Sequence, residues 1–246
     1  MKRLVLLIFA LSGLLAASAQ DTLSVAGRAK TAYDEKDYDK AISILEKEKD
    51  IQKANDLESA KLYYNLGNAY YKANEIAKAR LYYERATLLD PNDKEARMNI
   101  EFIVKNKLED KIPVADTFFL NIWWQGIQNM FSSNGWTKIG IISFIVLMGC
   151  LAAFFFIRHT TAKKISFYIG ILFLAFVIFA NIFAYNQRNN VLYRHTAIVM
   201  TPSAHIYSAP DDNSTEIILL HAGTKISITK SDRNWVEIEL DNGSIG

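Results

Sequence analysis

Three tyrosine pairs fall within one short stretch: Tyr63–Tyr64, Tyr70–Tyr71 and Tyr82–Tyr83. A phenol joins a large apolar ring to a hydroxyl that both donates and accepts, so it serves packing and recognition alike. Adjacent helix residues project about 100° apart, so one member of a pair can be buried while the other meets a ligand. Catalytic chemistry has less to work with. His159, His195, His205 and His221 have no nearby cysteine or carboxylate at ligand spacing, and a surface role is expected for His205 and His221. No nucleophile motif, glycine-rich phosphate loop or zinc spacing is present. Cys150 stands alone in an apolar run, where a small filler facing lipid or a helix neighbour is expected. The sequence predicts a non-enzyme with no catalytic residue, no metal site and no cofactor. A net charge of +2 gives no basic field, so no nucleic-acid partner is expected.

The elements that must position the tyrosines are helices. In the window Ala60 to Asp93, Tyr63, Leu66, Gly67, Tyr70, Ala79, Tyr83, Ala86 and Pro91 occupy the eight signature positions of a 34-residue repeat. Gly67 and Ala79 are small where two antiparallel helices cross closely, Tyr70 and Tyr83 fill the gaps beside the crossing, and Pro91 follows the second helix. The segment resembles a tetratricopeptide (TPR) unit. A weaker copy lies upstream, with Thr22–Glu35 and Tyr38 to about Asp50 as its helices and a longer connector within "KDIQKANDLES". Downstream, Met98, Ile100, Ile103, Val104 and Leu108 keep helical spacing and predict a terminal helix. In this register Tyr63, Tyr70 and Tyr83 are core, and Tyr82 packs on the next helix. The resemblance implies a concave groove that binds a protein segment. Lys30 and Tyr33 from the first repeat, with Lys61, Tyr64, Asn68, Tyr71 and Lys72 from the second, would line it. Lysine and asparagine beside tyrosine suit an extended peptide, an acidic one included.

Outside the repeats the composition changes. Asp21 to Lys111 carries 17 Lys/Arg and 18 Asp/Glu, whereas Thr117 to Pro210 has no acidic residue. The N-terminus has Lys2 and Arg3, an apolar run and Ala17-Ser18-Ala19, the layout of a signal peptide over 1–19. Cleavage after Ala19 and retention as an anchor helix both stay open. Residues 114–136 carry Trp123, Trp124 and Trp136 and read as an interfacial aromatic lead-in. Two uncharged runs, within 137–157 and 165–185, are each long enough to cross a bilayer as a helix. Arg158, Lys163 and Lys164 lie between them in a loop over 158–164 and mark the cytoplasmic side. Both flanking regions would then face outward, which is the periplasm in a Gram-negative cell.

From residue 196 the pattern turns to short alternating runs, "TAIVMT", "AHIYS", "EIILL", "TKISIT" and "WVEIEL", split by turn signals. Such strands suggest a small barrel. Residues 196–246 resemble a bacterial SH3 domain, with the aromatic-led final strand of that family not reached by Gly246; the sequence is expected to be truncated there. The expected fold is a mainly α multi-domain membrane protein: TPR repeats over 22–111, a two-helix transmembrane hairpin, and a small all-β SH3-like barrel at the C-terminus. Taken together the order resembles the BatE family of Bacteroides aerotolerance proteins, with "NLGNAYYKANEIAKARLYYERATLLDPND" and "NGW" the most distinctive stretches. That resemblance implies a role beside other Bat-type membrane proteins in an inner-membrane envelope complex. Two readings stay open: a non-enzymatic scaffold whose TPR groove holds a periplasmic segment of a membrane partner, and a cell-wall sensor or anchor whose SH3-like domain binds peptidoglycan.

Overall fold

The computed structural model describes residues 25–113, 118–211, 213–232 and 234–246. The signal-peptide reading over 1–19 lies outside the described residues. Helix α1 is described over 25–34. It is followed by α2 (Tyr38–Ala54), α3 (Ala60–Lys72), α4 (Ile76–Leu89) and α5 (Lys94–Asn106). Three of these start on side-chain caps: Asp37 accepts from the Lys40 amide, Ser59 from Leu62 and Asp93 from Ala96.

The two α-hairpins repeat each other in backbone detail. Lys36 and Asn74 both adopt a left-handed conformation, at φ 64° and 62°. The Lys36 amide bonds the Tyr33 carbonyl and the Asn74 amide bonds the Tyr71 carbonyl. Asp37 to Ala32 and Glu75 to Tyr70 repeat the next bond. The offset is 38 residues, the same as Ala41 to Ala79. The extra length over a 34-residue repeat is absorbed by α2 itself, which runs on to Ala54 rather than ending near Asp50. Met98, expected in the apolar stripe of the terminal helix, is 61% exposed; Ala96 and Ile103 face the core instead.

Helices α6 (Phe119–Gln128), α7 (Ser133–Phe156) and α8 (Thr160–Leu192) form the second part. Two boundaries differ from expectation. Helix α7 begins at Ser133, capped by the Ser132 hydroxyl, so Trp136 belongs to the first apolar helix and not to the lead-in. Trp136 is also buried, donating Nε1–H to the Gln128 carbonyl at 2.9 Å, so it locks α6 onto α7 rather than facing a membrane surface. Helix α8 begins at Thr160, so Lys163 and Lys164 sit in its first turns and the loop is shorter than 158–164. Both α7 and α8 are long and apolar enough to cross a membrane. They pack closely through small residues: a Cβ on Gly140 would lie 3.5 Å from the Ala180 Cβ, and one on Gly170 would lie 3.6 Å from the Cys150 Cβ.

The C-terminal part contains β1 (Thr196–Ile198), β2 (Ser203–Tyr207), β3 (Glu216–His221), β4 (Lys225–Asp232) and β5 (Trp235–Glu239). All five expected strands form. They make two antiparallel sheets, β1-β4-β5 and β2-β3, rather than one continuous ring of backbone bonds. Residues 245–246 pair back on β5, with Gly246 and Ile238 exchanging both backbone bonds. Val199, Leu220, Ile238 and Leu240 are the buried core, with Ile112 from the preceding helical part packed against it.

Candidate functional site

Helix α3 carries two tyrosine faces, and α4 closes over one of them. Tyr63 and Tyr70 of α3, with Tyr82 and Tyr83 of α4, are all buried. The Tyr70 and Tyr82 rings stack at 5.4 Å with 6° between their planes, and Tyr63 lies 5.9 Å from Tyr82. Tyr82 therefore packs back on α3 and α2, not on the next helix as expected. Buried hydroxyls need partners. Glu46 of α2 supplies one, its Oε1 accepting from Tyr70 at 2.8 Å and Tyr82 at 2.5 Å while Lys49 pairs with Oε2. Burial alone would raise the Glu46 pKa; the bonds from Lys49, Tyr82 and Tyr70 outweigh it and hold the carboxyl below its ordinary value. Burial and the Glu58 carboxylate push the Tyr63 phenol up to about 12. Lys78 lies 5.2 Å over the Tyr70 ring and Arg85 5.5 Å over Tyr82, adding cation–π contacts at the rim. Gly67 is required here, because a Cβ would come within 2.6 Å of the Tyr83 ring.

The other face of α3 stays half open. Tyr64 donates to Glu95 Oε2 at 2.8 Å, and its ring lies 6.0 Å from Tyr83. Tyr71 meets Phe102 edge-on at 6.2 Å. Tyr33 of α1 joins the same side: burial, Tyr38 and Tyr64 push its phenol upward. Asn68 is spoken for, since its Oδ1 accepts from Tyr83 at 2.6 Å and from Asn99 at 3.4 Å. Lys30 pairs with Asp34 at 2.6 Å, both well exposed. Lys61 and Lys72 are exposed at opposite ends of α3. The structure thus brings Tyr33, Tyr64, Asn68 and Tyr71 together, with lysines at the edges. Sequence reasoning missed α5's share: Glu95, Asn99 and the exposed pair Met98 and Phe102. The signal was the i, i+4 spacing of Met98 and Phe102, a second stripe beside Ile103.

A second junction joins the repeat to the β unit. Arg80 of α4 is 6% exposed and donates Nη1–H to the Gly223 carbonyl at 2.6 Å. Gly223 has φ +93°, and a Cβ there would meet Leu108 Cδ2 at 2.5 Å, so this turn can come so close only as glycine. Asp110 accepts from the His221 amide at 2.7 Å and from Thr224 Oγ1 at 2.5 Å, and pairs with His221 Nδ1 at 2.8 Å. Lys225 Nζ reaches Glu84 at 2.7 Å. His221 is therefore a junction residue rather than a surface one, and His205 pairs with Glu216 at 3.0 Å across β2–β3. Asp110 was not visible at local spacing, because it is 111 positions from His221.

With this geometry in hand, comparison with known families gives one match: the tetratricopeptide repeat model covers residues 60–93. The chain carries a TPR repeat. The matched segment is α3, α4 and the turn after them, which is the tyrosine-packed hairpin. No curated protein matches the chain. TPR repeats are non-catalytic and bind protein partners, so the repeat points to a protein–protein interaction role.

Proposed function

We propose that this chain is a non-enzymatic, membrane-anchored interaction scaffold that holds a segment of a protein partner on the tyrosine face of its TPR repeat. The observation that carries this reading is the half-open face of α3 and α5, where Tyr64, Tyr71, Met98 and Phe102 stay exposed or partly so while the inner tyrosines are sealed. Aromatic and methionine side chains there give a partner apolar anchors, and Lys61 and Lys72 at the ends favour an acidic segment. In the fuller form of the proposal α7 and α8 span the inner membrane, the short connection between them is cytoplasmic, and both the repeat and the β unit face the periplasm. The resemblance to the BatE family supports a partner among Bat-type membrane proteins. Copurification from detergent-solubilised native membranes tests it. The Tyr64→Ala, Tyr71→Ala variant, shown folded by thermal melting, should lose a membrane-protein partner that wild type retains; an unchanged partner set sinks the reading.

A second reading rests on the β unit. A cavity of about 260 Å³ there is walled by Tyr207 and Trp235, edge-on at 6.0 Å, beside Lys230 and Glu237. An SH3-like domain with such an aromatic cleft suits peptidoglycan. Retention on purified sacculi, lost in Trp235→Ala and untouched by the α3 variants, would favour it; no retention in wild type removes it.

A further inference from the structure

Between the repeat and the outer ends of α7 and α8 lies a cleft that neither reading uses. Its main cavity, about 590 Å³, runs from Leu88 and Leu89 at the end of α4 to Ser133 and Arg188 on the apolar helices. A smaller cavity of about 160 Å³ shares Leu88 and Gln187 with it and adds Arg97 of α5. On the other side a groove of about 240 Å³ shares Thr137 and Asn181 and continues down the α7–α8 seam past Ile141, Phe144 and Val177. The three are neighbours that share these wall residues, polar at the top and apolar below.

The charge of this cleft has one sign. Arg188 lines the main cavity and Arg97 the smaller one, and among the described residues no carboxylate lines either; on its other side Arg97 borders a cavity with Glu84 and Glu101. The arginines with ion-pair partners are Arg80 and Arg194; among the described residues Arg97 and Arg188 have none. From Thr117 to Pro210 the chain offers no acid at all, so the hairpin cannot neutralise Arg188 from within. Guanidinium groups match phosphate oxygens in fork geometry; the Ser133 and Thr137 hydroxyls beside them already donate to the Ala184 and Ser133 carbonyls, which leaves the arginines as the anion-binding groups. The cleft opens where α8 passes from its apolar stretch into Asn186-Gln187-Arg188, the level of a headgroup layer if the hairpin spans.

We propose that this cleft is a binding site for one phospholipid of the leaflet facing the repeat. Its phosphate sits between Arg97 and Arg188, and one acyl chain lies in the groove walled by Ile141, Phe144 and Val177. The lipid then seats the repeat on the hairpin, because Arg97 belongs to one and Arg188 to the other. The proposal rests on the reading of α7 and α8 as membrane spans. It goes beyond that reading by naming a stoichiometric ligand and its contacts.

Native mass spectrometry of the full chain in mild detergent tests it. Wild type should retain one phospholipid through delipidation. Arg97→Gln with Arg188→Gln should lower that occupancy about tenfold, the loss of one strong charge-assisted contact or more. Lys138→Gln, which removes a charge from the same end of α7 outside the cleft, should leave occupancy unchanged. If the arginine variant melts early, Val177→Phe narrows the acyl groove and should give the same loss. Wild type emerging without phospholipid, or equal occupancy in all variants, overturns the site. Displacement of the bound lipid by millimolar inorganic phosphate also overturns it, since the site would then be a phosphate site without an acyl groove. Carbonate extraction of membranes is run alongside. Wild type that washes off the membrane defeats the spanning reading itself, whereas wild type that stays without a bound lipid defeats only the site.

Discussion

The repeat and the β unit are held together in opposite ways. The repeat buries side chains from five helices in one core, and its buried hydroxyls are answered from within, by Glu46 and Asn68. The β unit has four buried core residues and completes that core with Ile112 from outside itself. Its β3–β4 turn is held by Arg80 and Asp110, both from the helical part. Small domains lack the buried area to stand alone without extra ties. The comparison teaches that the repeat is the self-sufficient body and the β unit is its dependant.

The strongest way to break this contrast is to strike the self-sufficient part. Tyr83→Ala removes a 2%-exposed ring from beside Gly67. A cost of about 4 kcal/mol is expected, by analogy with other buried aromatic truncations. In detergent-solubilised full chain, denaturant melts should show both the repeat and the β unit lost together. Asp110→Ala strikes the tie instead. It leaves the His221 amide and the Thr224 hydroxyl without their acceptor, at a cost of about 2 kcal/mol. Limited proteolysis should then cut first within residues 216–232 while the repeat stays resistant. Equal sensitivity of both parts would mean that the β unit is not a dependant. Tyr64→Ala, Tyr71→Ala should cost the least of the three, about 1–2 kcal/mol together, because both side chains are only partly buried. Loss of partner without loss of fold is the outcome that sharpens the contrast between sealed and open tyrosine faces.

The helical part was legible because its information is local. Gly67, Ala79 and the tyrosine register lie within one repeat, and steric fit at a helix crossing leaves a spacing signature. The strands were legible for the same reason, as alternation between turn signals. What could not be read was long-range. Tyr82 faces Glu46 of the previous hairpin, and nothing local distinguishes that from packing forward. His221 finds Asp110, and Arg80 finds the Gly223 carbonyl 143 positions away. Trp136 was misplaced because aromatic residues near apolar runs suit a membrane interface and a buried helix junction equally; the Gln128 carbonyl that binds it has no sequence mark. In the candidate site, the α3 and α1 residues followed from the repeat register, whereas Glu95 and Phe102 required knowing how α5 closes on α3.

The smallest expected effect is a pH dependence of the tie. Burial alone would raise the Asp110 pKa; bonds from the His221 amide, Thr224 and the His221 ring hold it below its ordinary value. Its contribution is therefore present above the unfolded carboxylate pKa of about 3.9 and is lost as pH falls through the lower folded value. His221 is shifted the other way: the Asp110 bond raises its pKa against partial burial, with Asp110 and Glu109 charges adding to the rise. That contribution is present below about 6.5 and is lost as pH rises through the raised folded value. Both hold together in mildly acidic solution. Amide exchange across residues 219–224, corrected for intrinsic rates, should be slower at about pH 5.5 than at about pH 8.5. Histidine is the side chain whose ordinary pKa falls in that range, and His221 is the histidine bonded to Asp110, so the change reports His221. His221→Gln should abolish the alkaline loosening and preserve the acid one, because Asp110 still binds the residue 221 amide and Thr224. Alkaline loosening that survives His221→Gln would place the titrating group elsewhere and detach the histidine from the junction.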